Sequence, residues 1–190
     1  MNHFYSLGAD PAEGIGQDDS AITVIDKMTG REVGFYIGQI QPDLFAKKIR
    51  MTAELFNNAL AVIEINNHGL AVINALKTEY SNIYQRTVFD KVTNTKRKEL
   101  GWKTSQTTKP LMVDDFIAGL RDDDIGLSSQ STVSQMMTFV HTSESSKYGM
   151  GAETGQKDDA LISAMLAWQG LKELPSGMPI ARKGRIIKLY

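Results

Sequence analysis

Cysteine is absent from this 190-residue chain. That excludes disulfides, thiolate-ligated zinc and a cysteine nucleophile. Histidine is scarce as well: His3, His68 and His141 are widely scattered, so a histidine-built zinc site is not expected. No stretch approaches the roughly 20 apolar residues that span a bilayer. The start, MNHFYSLGADP, lacks the basic segment and long apolar run of a signal peptide. A membrane partner is therefore not expected, and the composition fits a cytoplasmic protein. Neither charge sign dominates, with 21 Lys+Arg against 22 Asp+Glu, so total charge does not point to nucleic acid.

What is present is more specific. Hydrophobic residues make up 42% of the chain, enough for the core of one domain. Charge is unevenly distributed: residues Arg86 to Lys109 hold seven basic side chains against only Asp90 and Glu99. Phe4 to Ala9 reads as a strand stopped by Asp10-Pro11, with a flexible turn over Ala12 to Asp19 that contains Gly14 and Gly16. Ser20 to Asp26 and Glu32 to Gln39 are predicted as second and third strands, linked tightly through Met28-Thr29-Gly30, giving an antiparallel meander.

Pro42 pre-sets a helix whose stripe is Leu44, Phe45, Ile49, Thr52, Leu55 and Phe56. Ala59 to Ile65 is short and almost wholly apolar, as a central parallel strand buried on both faces would be. Asn67 is placed to cap the next helix. Between Ile83 and Ser105 the pattern fits a β-hairpin or an ordered loop with a polar tip. Lys109-Pro110 opens a helix with Leu111, Met112, Phe116, Ile117 and Leu120 on its buried side. Ile125 to Leu127 suits a short strand, and periodicity leaves Ser131 to Val140 open between helix and strand. Thr142 to Lys157 reads as a loop, and a last helix starts near Asp158. Strands followed by crossover helices indicate an α/β sheet. The expected organisation is one domain over 1–174 and a basic tail over 175–190 that carries Arg182, Lys183, Arg185 and Lys188.

The chemistry sits in four acids from three segments: Asp10 in LGADPAEGIGQDDSA, Glu64 in AVIEINNHG, and Asp158 and Asp159 in GQKDDALISAML. Each stands where a regular element closes or opens, so folding can gather them at one sheet edge. Oxygen-only ligands suit hard divalent ions such as Mg²⁺ or Mn²⁺. Two ions about 3.5–4 Å apart clamp the attacking and leaving oxygens of an in-line displacement. The pattern points to metal-dependent phosphoryl transfer, and specifically to a nuclease. Each acid also has a plainer reading: Asp10 as a turn acid, Glu64 as an ion-pair partner, Asp158-Asp159 as a helix cap. Asp18 and Asp19 read as turn residues, and His68 as solvated. Lys96, Arg97 and Lys98, with Lys103 and Lys109, are candidate contacts to a DNA backbone, against the alternative of a solvated basic face.

The pieces GADPAEGIGQDDSAITVID, AVIEINNHG, GWKTSQTTKPLMVDDF and GAETGQKDDALISAMLAW resemble, in order, the nuclease domain of the large terminase subunit of tailed bacteriophages. The resemblance implies a ribonuclease H-like fold: a central mixed β-sheet with a three-strand meander and helices on both faces. It implies that Asp10, Glu64 and Asp159 coordinate metal, with Asp158 adjacent. It further implies cleavage of concatemeric double-stranded DNA during genome packaging in the host cytoplasm, leaving a 3′-hydroxyl. The partners it implies are an ATPase motor domain, a small terminase subunit and a portal. No GxxxxGK[ST] phosphate loop occurs in the chain, so the nuclease half alone, without ATP hydrolysis, is expected. Two rival readings remain: a Holliday-junction resolvase of the same superfamily, and a non-catalytic DNA-binding packaging module whose acids would pair with bases.

Overall fold

The computed structural model describes residues 3–14, 18–90, 94–141 and 148–175. The first strand, β1 (Tyr5–Asp10), ends at Pro11, which cannot donate to a sheet ladder. Strand β2 (Ser20–Asp26) is buried throughout, and β3 (Glu32–Gly38) follows a turn at Gly30, whose φ of 66° suits a residue without a side chain. Helix α1 (Pro42–Leu55) leads to β4 (Leu60–Ile63), all four of whose residues are buried. The four strands form one mixed sheet in the order β3-β2-β1-β4. β1 runs antiparallel to β2 and parallel to β4, while β2 and β3 are antiparallel. Parallel bridges from Ala61 to Ile83 and from Glu64 to Trp102 extend the sheet beyond β4.

Helix α2 (Asn67–Leu76) precedes a two-stranded hairpin of β5 (Gln85–Asp90) and β6 (Thr95–Leu100). Then come α3 (Thr108–Arg121), α4 (Gln130–Met137), the short pair β7 (Phe139–His141) and β8 (Met150–Ala152), and α5 (Asp159–Glu173). The segment left open between helix and strand thus contains both, split at Thr138. Ile125 to Leu127 forms no strand; Gly126 makes only an isolated bridge to Arg31. The segment expected as a loop before α5 contains β8, and residues 142–147 lie outside the described ones, as do Gly16, Lys91 and the basic residues of the tail.

Alternation along the strands loads both faces of the sheet. Leu7, Ala9, Ile22, Val24, Ala61 and Ile63 pack with α1 and α2, through Phe45, Ile49, Val72 and Leu76. Ile25, Leu60 and Val62 pack on the other face with α3 and α5, through Phe116, Leu161, Met165 and Leu166. On α1 the buried residues are Phe45, Ala46, Ile49 and Ala53, while Leu44 and Leu55 are exposed. The small alanines let the helix sit close, which rotates the expected stripe. On α3, Leu111 and Ile117 are likewise exposed, and Val113 and Gly119 are buried.

Helix α5 is buried from Ala160 to Trp168 and lies directly on β1. That approach needs Gly8: a Cβ there would stand 2.0 Å from the Ser163 carbonyl oxygen and 2.4 Å from the Ala167 nitrogen. The close seat fixes where the helix begins, and so where Asp158 and Asp159 stand. Among the described residues, no helix is long and apolar enough to cross a membrane.

Candidate metal centre

Asp10 closes β1 and is buried. The parallel register of β1 and β4 pairs Ala9 with Ile63, so the next residue of each strand falls at the same sheet edge. The Glu64 N–H donates to the Ala9 carbonyl at 2.9 Å and brings Glu64 beside Asp10. Burial, then the charge of the adjoining Glu64 and hydrogen bonding to it, push the Asp10 carboxyl well above its ordinary value of 3.8; Asp159 and Asp158 add to the effect.

Glu64 is held by neutral donors. The Thr104 hydroxyl donates to Oε1, and Asn66 Nδ2 lies 3.5 Å from Oε2. Asn66 also donates to the Pro11 carbonyl at 2.8 Å, tying the two acid-bearing strand ends together. Its Oδ1 accepts from the N–H groups of His68 (3.1 Å) and Gly69 (2.8 Å), so Asn66, not the expected Asn67, caps α2.

Asp159 is the first residue of α5. Burial, followed by the charges of Asp158 and Asp18, raises it to about 6, with Lys157 opposing. Its Oδ2 is buried and has no hydrogen-bond partner among the described residues. Asp158 occupies the N-cap position, yet its side chain makes no capping bond, so the plain capping reading does not hold. Asp158 Oδ2 instead lies 3.5 Å from Lys109 Nζ. Lys109 is buried, and its ammonium faces the rings of Phe139 and Tyr148 at 5.6 and 5.9 Å. Asp19 is not merely a turn residue, because it pairs with Lys157 at 2.7 Å.

An open cleft of about 520 Å³ lies over these groups, lined by Asp10, Glu64, Lys103, Thr104, Lys109 and Asp158 among others. Asp159 is not part of this lining. Among the described residues no three acidic or histidine side chains already stand in ligating geometry. The donor set nonetheless fits a hard cation. Burial and the neighbouring acids favour a protonated Asp10, whose proton a cation would replace, and Asp159 Oδ2 has no partner among the described residues. Asp10, Glu64 and Asp159 form no ion pair within 4.0 Å among the described residues.

Of the expected DNA contacts, Lys103 and Lys109 line the cleft, whereas Lys96, Arg97 and Lys98 lie on β6. Sequence reasoning missed Thr104 and the capping role of Asn66. Nothing in the local pattern of Thr104 signals its hydroxyl bond to a residue on another strand.

No protein-family model and no curated protein matches the chain. Solved structures do. The large terminase nuclease from thermophilic phage G20c superposes with a TM-score of 0.66 at 16% identity, over 88% of this chain and 82% of that one. The Thermus phage P74-26 large terminase nuclease domain gives 0.65 at 18% identity, over 87% and 78%. The human cytomegalovirus terminase nuclease domain gives 0.56 at 10% identity, over 88% and 83%. The phage G20c nuclease has been solved with bound magnesium and with bound cobalt. The chain therefore has the α/β fold of terminase nuclease domains.

Proposed function

We propose that this chain is a divalent-metal-dependent endonuclease acting on double-stranded DNA, the nuclease part of a terminase large subunit. The observation that carries the reading is the convergence of Asp10, Glu64, Asp158 and Asp159 at one end of β1, β4 and α5. The shared fold and the metals held by the phage G20c nuclease support it. Mg²⁺ or Mn²⁺, as two ions, is the proposed cofactor, with Asp10, Glu64 and Asp159 as ligands. Asp158, paired with Lys109, stands beside them. The proposed setting is packaging of concatemeric viral DNA in the host cytoplasm, with an ATPase domain, a small terminase subunit and a portal as partners.

Bound ions would supply Lewis-acid polarisation of the scissile phosphate and activation of a water. The chain's own residues supply the rest. Burial favours the protonated form of the Asp10 carboxyl, and Asp10 must lose that proton to act as a ligand. Thr104 and Asn66 fix the Glu64 carboxylate in direction. Lys109, walled by two aromatic rings, places a positive charge at the cleft, where a phosphate oxygen can meet it. Among the described residues no groove-reading element rich in Arg, Asn and Gln lines the cleft, so sequence preference should be low.

The test is plasmid cleavage. Supercoiled and linear DNA are incubated with Mg²⁺ or Mn²⁺, beside EDTA and Asp10→Ala controls. Cleavage lost in both controls supports the reading, and cleavage that survives Asp10→Ala removes the site from it. DNA retention without cleavage under any metal moves the chain to the binding-module class.

A further inference from the structure

The β5–β6 hairpin carries three consecutive basic residues, and its register divides them. Thr87 pairs with Lys98 and Phe89 with Lys96, while Arg86 pairs with Glu99 and Val88 with Arg97. Side chains alternate between faces along each strand. Thr87, Phe89, Lys96 and Lys98 therefore share one face, and Arg86, Val88, Arg97 and Glu99 share the other.

The two faces differ in charge balance. On the second, Glu99 accepts from both Arg86 and Arg97, the latter at 2.7 Å. Arg86 also donates to the Gly101 carbonyl at 3.1 Å, fastening the hairpin base. On the first face neither strand places an acid beside Lys96 or Lys98, and Phe89, directly across from Lys96, is 53% exposed. What distinguishes Phe89 is its place beside lysines unpaired among the described residues, which suits a partner that offers phosphates and apolar edges together.

The hairpin is rooted at the carboxylate site. Past β6, Trp102 donates to the Ile63 carbonyl (2.8 Å) and accepts from Ile65 N–H (2.7 Å), bracketing Glu64. At about 3.3 Å per residue, Lys98 is about 13 Å along the strand from Trp102. This is well inside one duplex turn of about 34 Å. DNA seated over the carboxylates would pass within reach.

Building on the DNA-nuclease reading, we propose that the Phe89–Lys96–Lys98 face is a contact for double-stranded DNA: the lysines meet backbone phosphates and Phe89 packs against the sugar edge between them. Arg97 is not a DNA contact but a partner of Glu99. A single-strand platform stacks successive bases on several aromatics; Phe89 is the one aromatic residue in either strand of the hairpin.

The test measures fluorescence anisotropy of labelled duplex and single-stranded oligonucleotides across a salt series, in EDTA so that nothing is cut. The full chain is compared with Lys96→Gln/Lys98→Gln, Phe89→Ala and Arg97→Gln. The double lysine variant should reduce the slope of log K against log salt by about 2, from two lost phosphate contacts. Phe89→Ala should weaken duplex binding about 5-fold with the slope unchanged, by analogy with loss of one apolar contact. Arg97→Gln should bind as the parent does. Loss on Arg97→Gln equal to that of the lysine variant, tighter binding of the single strand, or no binding by the parent chain would each overturn the proposal. Metal-dependent cleavage with duplex affinity indifferent to the hairpin would overturn this inference alone. Hairpin-dependent binding without cleavage would overturn the nuclease reading alone.

Discussion

Replacing Asp159 by asparagine should stabilise the protein in the absence of metal, with the gain building as pH rises from about 4 to about 6 and complete above that. In the fold the Asp159 carboxyl is raised from 3.8 to about 6, first by burial and then by Asp158 and Asp18. Below about pH 4 both folded and unfolded chains hold the proton and nothing is lost. As pH rises through about 6, the folded chain must give up a proton that the unfolded chain has already released, so stability falls. The full shift corresponds to about 3 kcal/mol at 1.36 kcal/mol per unit. Solvent screening and sharing of the effect with Asp158 reduce this to about 1–2 kcal/mol. For a chain of this length that is a rise in Tm of about 2–8 °C. Thermal unfolding in EDTA at about pH 8 and about pH 4 reads it. The variant should melt higher at the first pH, and the gap should close at the second. Saturating Mn²⁺ should raise the parent's Tm and leave the variant's nearly unmoved, because a ligand that binds only the folded state stabilises it. Equal melting at both pH values, or a less stable variant in EDTA near pH 8, would refute the claim that Asp159 is an uncompensated buried charge.

Thr104→Val removes the hydroxyl that holds Glu64 Oε1 and should weaken Mn²⁺ binding by about 10-fold while leaving the fold intact. Calorimetric titration checks it, and Thr104→Ser should restore affinity. Gly8→Ala forces a methyl into the α5 backbone at 2.0 Å from the Ser163 carbonyl. It should destabilise by more than about 2 kcal/mol in urea unfolding, since the packed helix must shift.

The sheet was largely legible in the sequence because β1, β2 and β4 are buried strands with a strong period or an unbroken apolar run. The meeting of Asp10 and Glu64 follows from strand ends alone, since one parallel register places both at a common edge. What was not legible depended on contacts between distant segments. Asn66 and Asn67 are chemically identical candidates for the α2 cap, and only the path of the chain past Pro11 selects Asn66. The Lys109–Asp158 pair joins two helix starts that no local pattern relates. On α1, Ala46 and Ala53 face the core in place of the larger Leu44 and Leu55, because close helix packing rewards small residues at the contact.

The carboxylate cluster opposes the fold that holds it. Helix α5 is buried along most of its length, and Gly8 lets it press onto β1. That same seat brings Asp158 and Asp159 toward Asp10 and Glu64, where burial first, and then the charges of Glu64, Asp159 and Asp158, raise the Asp10 carboxyl. A passive scaffold would gain by salt-bridging all four acids. Here the lysines are spent elsewhere in part: Lys157 on Asp19 and Lys109 on Asp158, which leaves Asp10, Glu64 and Asp159 without an ion pair among the described residues. The buried seat of α5 on β1 holds the acids in place against this local conflict, and relief by a bound cation would convert it into affinity. On this reasoning Asp10 and Asp159, the acids that burial raises, lower the stability of the metal-free protein and set how strongly metal raises it. Neutralising either should raise the first quantity and reduce the second.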